Sequence, residues 1–219
     1  DTIIYTMLDL EQFIGSKIDW VTGKPFDEII LRNGKKYLPN VTQRFCTTEM
    51  KLQPIFDWWR KNINEVVLMR IGYRANEQSR ARTMLEKTNE NGNLEFKTIV
   101  GKRKTQNKWE NMQWQKPSFP LIKDNLYKDN IEEFWKGKPV RFAYMNNCVG
   151  CFHRNPILLK HMSEKNPNKF QWFVDAESGG YGKRTFKNGL SYDKIRKSFK
   201  QIELFDDDFN ECDSGYCGV

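Results

Sequence analysis

The sequence has little histidine, few cysteines and no long apolar run. Two histidines, His153 and His161, occur among 219 residues, which leaves little room for a Ser–His–Asp triad or a histidine-rich metal site. Five cysteines, an odd number, do not suit the disulfide framework of a small secreted protein, so we expect a reducing, cytoplasmic compartment. No stretch provides the about 20 apolar residues of a membrane-spanning helix, and no membrane partner is expected.

The composition instead suits one folded domain with an anionic partner. The chain is 38% hydrophobic and 14% aromatic, which is enough apolar material for a core and too much for overall disorder. Its formal charge is +8, but residues 203–219 contain six acidic residues and no Lys or Arg, so the first 202 residues carry +14. We interpret 203–219 as an acidic, cysteine-bearing tail that is either solvated or folded back on a basic cleft.

Periodicity predicts alternating helices and strands. The apolar run Val66–Ile71 is typical of a buried strand in a parallel sheet. Helices are predicted after Thr47–Thr48, over 76–87, over 129–135 and around Leu158, Phe170 and Ile195, whereas 97–116 is predicted to be a long loop or hairpin. For residues 2–31 we predict a strand or loop and a short helix.

Two segments combine cations with groups that could carry chemistry. Arg44, Cys46 and Lys51 lie at the predicted start of a helix, where free N–H groups suit a phosphate and would lower the pKa of a thiol. Arg70, Arg74, Glu77 and Arg80 follow the predicted strand, and open α/β sheets bind ligands at that edge. The alternatives are a buried cysteine with surface cations, and a solvated charged helix.

Cysteine spacing indicates a metal site or a redox pair. Cys148 and Cys151 form a Cys-x-x-Cys turn, and Cys212 and Cys217 form a second pair. Four thiolates would hold zinc or an iron–sulfur cluster, with a three-cysteine cluster that includes Cys46 and the absence of any metal as the alternatives.

The segment 97–116 indicates a second class of partner. It contains six basic residues, one glutamate, Trp109 and Trp114. Phosphate contacts and base stacking by such residues would bind a nucleic-acid strand, so nucleic-acid binding or modification is the alternative function.

Four motifs occur in an order that resembles the phosphoadenosine phosphosulfate reductase family. The segment from Arg44 to Pro54 resembles the family's Arg-x-Cys-x-x-x-x-Lys-x-x-Pro element, and Arg70–Arg80 is similar to its Gly-x-Arg-x-x-Glu-Ser-x-Arg element. The proline-leucine helix entry at Pro120 and the Cys148–Cys151 pair follow in order, so the resemblance covers about residues 38 to 155.

The resemblance implies an α/β fold of the adenine nucleotide alpha hydrolase-like type, a parallel sheet flanked by helices with a helical, cysteine-bearing C-terminal part. It also implies an enzyme of sulfonucleotide reduction or sulfur transfer, an oxidoreductase or sulfurtransferase. It implies that an adenine nucleotide is bound by Arg44, Lys51, Arg70, Arg74, Glu77 and Arg80, that Cys212 attacks the sulfonyl group, and that a thiol protein is the reductant. The family's Ser-Gly-Gly-Lys-Asp-Ser-like phosphate loop has no counterpart here, and the tail motif Glu211-Cys212 lacks the family's histidine. We therefore expect one domain over 1–219 that is incomplete at its N-terminus, with catalysis dependent on a loop upstream of Asp1.

Overall fold

The computed structural model describes residues 2–142 and 148–198, and shows a mixed α/β protein. The chain divides into two compact units, the first formed by 1–53 and 140–219 and the second by 54–139. No helix in the described residues is long and apolar enough to cross a membrane.

In chain order the elements are α1 (Thr2–Ile14), α2 (Phe26–Ile30), β1 (Leu31–Arg32), β2 (Lys35–Lys36), α3 (Phe45–Thr47), a π-helical turn (Thr48–Leu52), α4 (Gln53–Asn62), β3 (Val67–Arg70), a 3₁₀ turn (Ala75–Glu77), α5 (Gln78–Leu85), β4 (Leu94–Arg103), β5 (Gln106–Ser118), α6 (Pro120–Lys123), α7 (Lys128–Trp135), α8 (Pro156–Lys165), α9 (Pro167–Ser178), a 3₁₀ turn (Tyr181–Lys183) and α10 (Tyr192–Lys197).

The first unit is mainly helical, and aromatic side chains fill its core. Capping side chains mark the helix starts: the Asn155 side chain accepts a hydrogen bond from the Leu158 N–H at 2.7 Å, and Ser191 accepts one from Lys194. Helices α8, α9 and α10 pack against one another. The fully buried members of this core are Ile29, Ile30, Leu38, Phe152, Leu159, Phe170, Ala176, Phe186, Tyr192 and Ile195.

Helix α1 is connected to the same unit by polar contacts. Asp9 accepts hydrogen bonds from the backbone N–H and the guanidinium of Arg141, and the Thr6 hydroxyl donates to the Arg141 carbonyl at 2.6 Å. The Arg141 hydrogen bonds lower the pKa of Asp9 to about 2. The prediction of a strand or loop followed by a short helix for this region was wrong in its first part, since the helix extends over 13 residues.

The second unit is built on a three-stranded mixed sheet in the order β3-β5-β4. Strand β3 runs parallel to β5, with Val67 opposite Gln115, and β4 and β5 form a long antiparallel hairpin. Phe56 and Trp59 of α4 pack with Trp114 on one face of the sheet, where Phe96 and Met112 join them. The predicted parallel strand is therefore present, but Leu68 is 62% exposed, so burial on both faces was wrong.

Candidate functional site

An ion cluster follows the carboxyl end of β3. The Ile71 N–H donates to the Ser118 carbonyl at 2.8 Å, which extends the parallel pairing by one residue before the chain turns. The Glu77 carboxylate then accepts hydrogen bonds from the Arg74 backbone N–H at 2.9 Å, from Arg74 Nε at 3.0 Å and from Arg80 Nη1. Three of the four predicted residues of this segment are thus brought together, and Arg70 is exposed at the strand end.

The charge of Glu77 is stabilised by these donors. Burial alone would raise the pKa of the carboxyl, but the hydrogen bonds from Arg74 and Arg80 outweigh that effect and lower it. The alternative of a solvated helix does not describe this cluster, since only 13% of the Glu77 side chain, 23% of Arg74 and 18% of Arg80 are exposed. The two arginines exceed the one carboxylate by one positive charge.

Tyr73 is a member of this cluster that the charge pattern did not single out. Its ring packs against the Arg80 guanidinium, 4.2 Å from the ring centroid, and lies nearly parallel to the Phe119 ring at 5.6 Å. Burial raises the pKa of the Tyr73 hydroxyl. Tyr73 Oη and Arg80 Nε are both buried, and neither makes a well-aligned hydrogen bond within the described residues. The Arg80 guanidinium nevertheless lies close enough to the Tyr73 hydroxyl to act against the rise in its pKa. Buried polar atoms of this kind indicate a water molecule, an ion or a ligand nearby.

The first unit contains the predicted thiols. Cys46, on α3, packs against the aromatic core, and the Cys151 N–H donates to the Cys148 carbonyl at 3.1 Å, which closes the Cys-x-x-Cys turn. The Tyr192 hydroxyl donates to the Gly150 carbonyl at 3.0 Å and connects this turn to the core. A β-carbon at Gly150 would lie 2.5 Å from the Phe173 ring, so the turn needs glycine for steric reasons.

The three thiols influence one another electrostatically. Burial is the largest cause of the raised pKa of Cys46, and the neighbouring Cys148 and Cys151 raise it further. Although part of the Cys148 residue reaches solvent, desolvation of its thiol and the nearby Cys151 raise its pKa. Arg44 acts on Cys46 and Lys51 on Cys148 in the opposite direction, but these effects are smaller. The expectation that cations and a helix start would lower the thiol pKa was wrong, because desolvation outweighs them.

The described thiols do not complete a metal site. No set of three His, Cys, Asp or Glu side chains in residues 2–142 and 148–198 is arranged to hold a metal ion. Zinc and iron–sulfur clusters usually take four protein ligands, and the second predicted pair, Cys212 and Cys217, lies outside the described residues, as does the acidic tail 203–219.

Two cations near the thiols were missed from sequence. Arg154 is 1% exposed and its Nε donates to the Cys148 carbonyl at 3.4 Å, while Lys187 Nζ donates to the Phe152 and Arg154 carbonyls. Burial, together with Arg44 and Lys187, lowers the pKa of His153 to about 4, so this imidazole is neutral at pH 7. The position of Arg154, three residues after Cys151, was the available signal, because the Arg154 N–H closes the next turn on the Cys151 carbonyl.

The basic segment 97–116 forms most of the β4–β5 hairpin. Its two tryptophans have different environments: Trp109 is 53% exposed, whereas Trp114 is 4% exposed in the core of the second unit. Of the two predicted stacking residues, Trp109 alone lies at the surface.

Comparisons with known proteins found no match. No protein-family model, no curated protein and no solved structure corresponds to this chain.

Proposed function

We propose that this protein binds a phosphorylated or sulfonated adenine nucleotide and acts in sulfonucleotide reduction or sulfur transfer, as phosphoadenosine phosphosulfate reductases do. The observation that carries the proposal is the cluster of Tyr73, Arg74, Glu77 and Arg80 at the carboxyl end of β3, where two partly buried arginines share one carboxylate and leave an excess positive charge. Ligands of open α/β sheets bind at this edge.

Each residue of the cluster would have a separate role in anion binding. The Arg80 guanidinium and the Tyr73 hydroxyl, which lie against each other, would contact phosphate or sulfonate oxygens. Glu77 would orient both arginines, because it holds Arg74 and Arg80 through separate oxygens. Arg70, exposed at the strand end, would add positive charge. Arg44 and Lys51 belong to the first unit, and the anion-binding roles that the resemblance implies for them are proposed for that unit by itself.

In this proposal the parallel pair β3 and β5 belongs to a sheet of the adenine nucleotide alpha hydrolase-like type. Support comes from the parallel register of Val67–Arg70 with Gln115–Ser118 and from the position of the arginines after β3. Because a fold does not by itself imply an activity, nucleotide binding is the part of the proposal to test first.

Cys212 is the proposed nucleophile. Its thiolate would attack the sulfonyl sulfur, the bond from sulfur to the adenylate oxygen would break, and the enzyme would be left with an S-sulfonate. A dithiol protein would then release sulfite and be oxidised to a disulfide. Release of sulfite from a sulfonucleotide by the full chain, lost in Cys212→Ser and retained in Cys217→Ser, is the expected result.

Nucleotide binding is tested by thermal unfolding of the full chain with adenosine 5′-phosphosulfate or 3′-phosphoadenosine 5′-phosphosulfate. A ligand at about 100 times its Kd stabilises the folded state by about 2.7 kcal/mol, which corresponds to a rise in Tm of about 5 to 10 °C. We expect Arg74→Ala and Arg80→Lys to lose that rise. Arg82→Ala, an exposed arginine on the same helix as Arg80, is the matched control and should keep it.

The ligand-free Tm of each variant separates lost binding from lost folding. The proposal is contradicted if the Tm of the wild-type protein changes with neither sulfonucleotide nor with any simpler adenine nucleotide. Equal loss of the shift in Arg82→Ala would show that the effect does not come from the cluster.

A thiol-bound metal is proposed as an alternative role for Cys212. Cys148 and Cys151 would be joined by Cys212 and Cys217, so that Cys212 would be a ligand in place of a nucleophile, or they would be joined by Cys46 in the three-cysteine arrangement. Elemental analysis and the visible spectrum of purified protein distinguish zinc, which is colourless, from an iron–sulfur cluster, which is brown. Cys148→Ser and Cys217→Ser should each reduce the metal content, and metal-free wild-type protein, prepared without oxygen, would reject this part.

A further inference from the structure

The β4–β5 hairpin has two faces of different character. Phe96 and Met112 lie opposite each other in the register and pack on the core of the second unit. Side chains alternate between faces along a strand, so the pairs Lys97 with Asn111 and Ile99 with Trp109 belong to the other face. That second face, which we call the outer face, is not covered by α4.

The outer face carries an exposed platform of mixed chemistry. Lys97 is exposed, Ile99 is 39% exposed and Trp109 is 53% exposed. Lys97 Nζ lies 5.8 Å from the centroid of the Trp109 ring, within the range of a cation–π contact. Beyond the bulge between Ile99 and Gly101, Lys102 is opposite Asn107 and returns to the same face.

The carboxylates of the hairpin lie away from its distal half. Glu110 lies on the opposite face, where it pairs with Lys108. Glu95 shares the outer face with Lys97, but it lies at the base of the hairpin, where its Oε1 accepts a hydrogen bond from Asn89. From residue 97 to residue 109 the hairpin has five cations and no carboxylate. The distal half is therefore a positive surface that contains one large exposed aromatic ring.

The hairpin tip concentrates three of these cations. Strand β4 ends with Lys102 and Arg103, and the two-residue connection begins with Lys104. Lys104 has a φ of +56°, a left-handed conformation that two-residue hairpin turns usually reserve for Asn or Gly. A lysine at this position is therefore not explained by the turn itself, and local strain of this kind is common at functional sites.

We propose that the outer face and tip of this hairpin bind single-stranded nucleic acid, an activity that goes beyond the proposed sulfonucleotide chemistry. Lys102, Arg103 and Lys104 would contact phosphates, and the exposed ring of Trp109 would stack on an unpaired base. The exposed ring favours a single strand over a duplex, because the bases of a duplex are already stacked. It also favours nucleic acid over an acidic peptide, which has no comparable flat partner.

The test measures binding of the full chain to a fluorescent single strand of about 20 nucleotides over a series of salt concentrations. For single strands the slope of log K against log salt is about −0.7 per phosphate contact. Neutralising Lys102, Arg103 and Lys104 to Gln together should reduce the magnitude of that slope by about 2. Trp109→Ala should weaken binding about 10-fold or more and leave the slope unchanged, since stacking involves no phosphate.

Matched controls and competitors make each outcome decisive. Neutralising Lys17, Lys165 and Lys169, which are exposed in the first unit, removes the same charge and should alter neither affinity nor slope. The proposal is overturned if the two triple variants behave alike, or if Trp109→Ala binds as tightly as wild type. It is also overturned if a duplex or a polyglutamate competes as well as the single strand. Far-ultraviolet circular dichroism confirms that each variant is folded.

Discussion

The two units differ in how they hold a partly buried glutamate. In the first unit Glu177 accepts hydrogen bonds from the backbone N–H groups of Phe186 at 3.0 Å and Tyr192 at 2.6 Å, and desolvation raises its pKa. In the second unit Glu77 is held by two arginines and its pKa is lowered. Glu177 holds backbone N–H groups of the first unit's core, whereas Glu77 holds the side chains of two arginines at the end of β3.

The same contrast applies to the surroundings of each unit's glycines. Gly150 lies against the Phe173 ring, where nothing larger than hydrogen fits, while Gly101 on β4 has no atom within 4 Å of where a β-carbon would be. Tight packing therefore surrounds the thiol turn of the first unit, and open space surrounds the distal hairpin of the second. We therefore expect larger side chains to destabilise the protein at the thiol turn of the first unit and to be tolerated at the distal hairpin of the second.

The largest expected effect is at Glu177. In Glu177→Ala two buried N–H groups, of Phe186 and Tyr192, lose their acceptor, which should reduce the free energy of unfolding by about 2 to 5 kcal/mol. Glu77→Ala should cost about 1 to 3 kcal/mol, because Arg74 and Arg80 can regain water. Denaturant unfolding followed by circular dichroism gives both values, with the exposed Glu86→Ala as a control near zero. A greater loss in Glu77→Ala than in Glu177→Ala would reverse the comparison.

A smaller effect is expected from glycine substitution. Gly150→Ala forces the Phe173 ring to move and should destabilise the protein by about 1 to 3 kcal/mol. Gly101→Ala should change stability by about 1 kcal/mol or less, and toward greater stability, since its φ is not positive and the site is open. The same denaturant titration measures both. Part of the Gly150→Ala loss should be recovered by adding Phe173→Leu; a neutral Gly150→Ala would show that this turn is less crowded than described.

The smallest effect is a difference in pH dependence between the two glutamates. The folded pKa of Glu177 lies above its ordinary value of 4.5, so its favourable contribution, present below that value, is lost as pH rises through the folded pKa. The folded pKa of Glu77 lies below 4.5, so its contribution, present above that value, is lost as pH falls through the folded pKa. We compare the unfolding free energy of wild type with that of each Gln variant between about pH 3 and about pH 7. The advantage of wild type over Glu177→Gln should fall as pH rises, whereas its advantage over Glu77→Gln should grow. Parallel curves would remove the distinction between the two sites.

The local elements of the fold were largely predictable from residue pattern. The helices α4, α5, α7, α8, α9 and α10, the strand β3 and the hairpin nature of 97–116 all agree with the spacing of apolar and turn residues. Helix α1 was missed in part, although Ile3, Met7, Leu10 and Ile14 recur at helical spacing and its full length was therefore open to prediction.

The candidate sites were predictable as groups of residues but not as environments. Arg74, Glu77 and Arg80 are close in sequence, so local geometry brings them together. Glu177 gave no signal, because its partners Phe186 and Tyr192 are backbone groups 9 and 15 residues away. A contact between a side chain and a distant N–H leaves no trace in residue type.

What the sequence determined by itself is the local chemistry: a Cys-x-x-Cys turn, arginines after a strand, and a cationic hairpin with two tryptophans. What only the tertiary structure decided is the environment of each group. It placed Trp114 in a core and Trp109 at the surface, and it brought Cys46 close enough to Cys148 and Cys151 for these two thiols to raise the pKa of Cys46. The physical reason is that spacing along the chain governs turns and helix faces, whereas desolvation and electrostatic coupling depend on contacts between residues far apart in sequence.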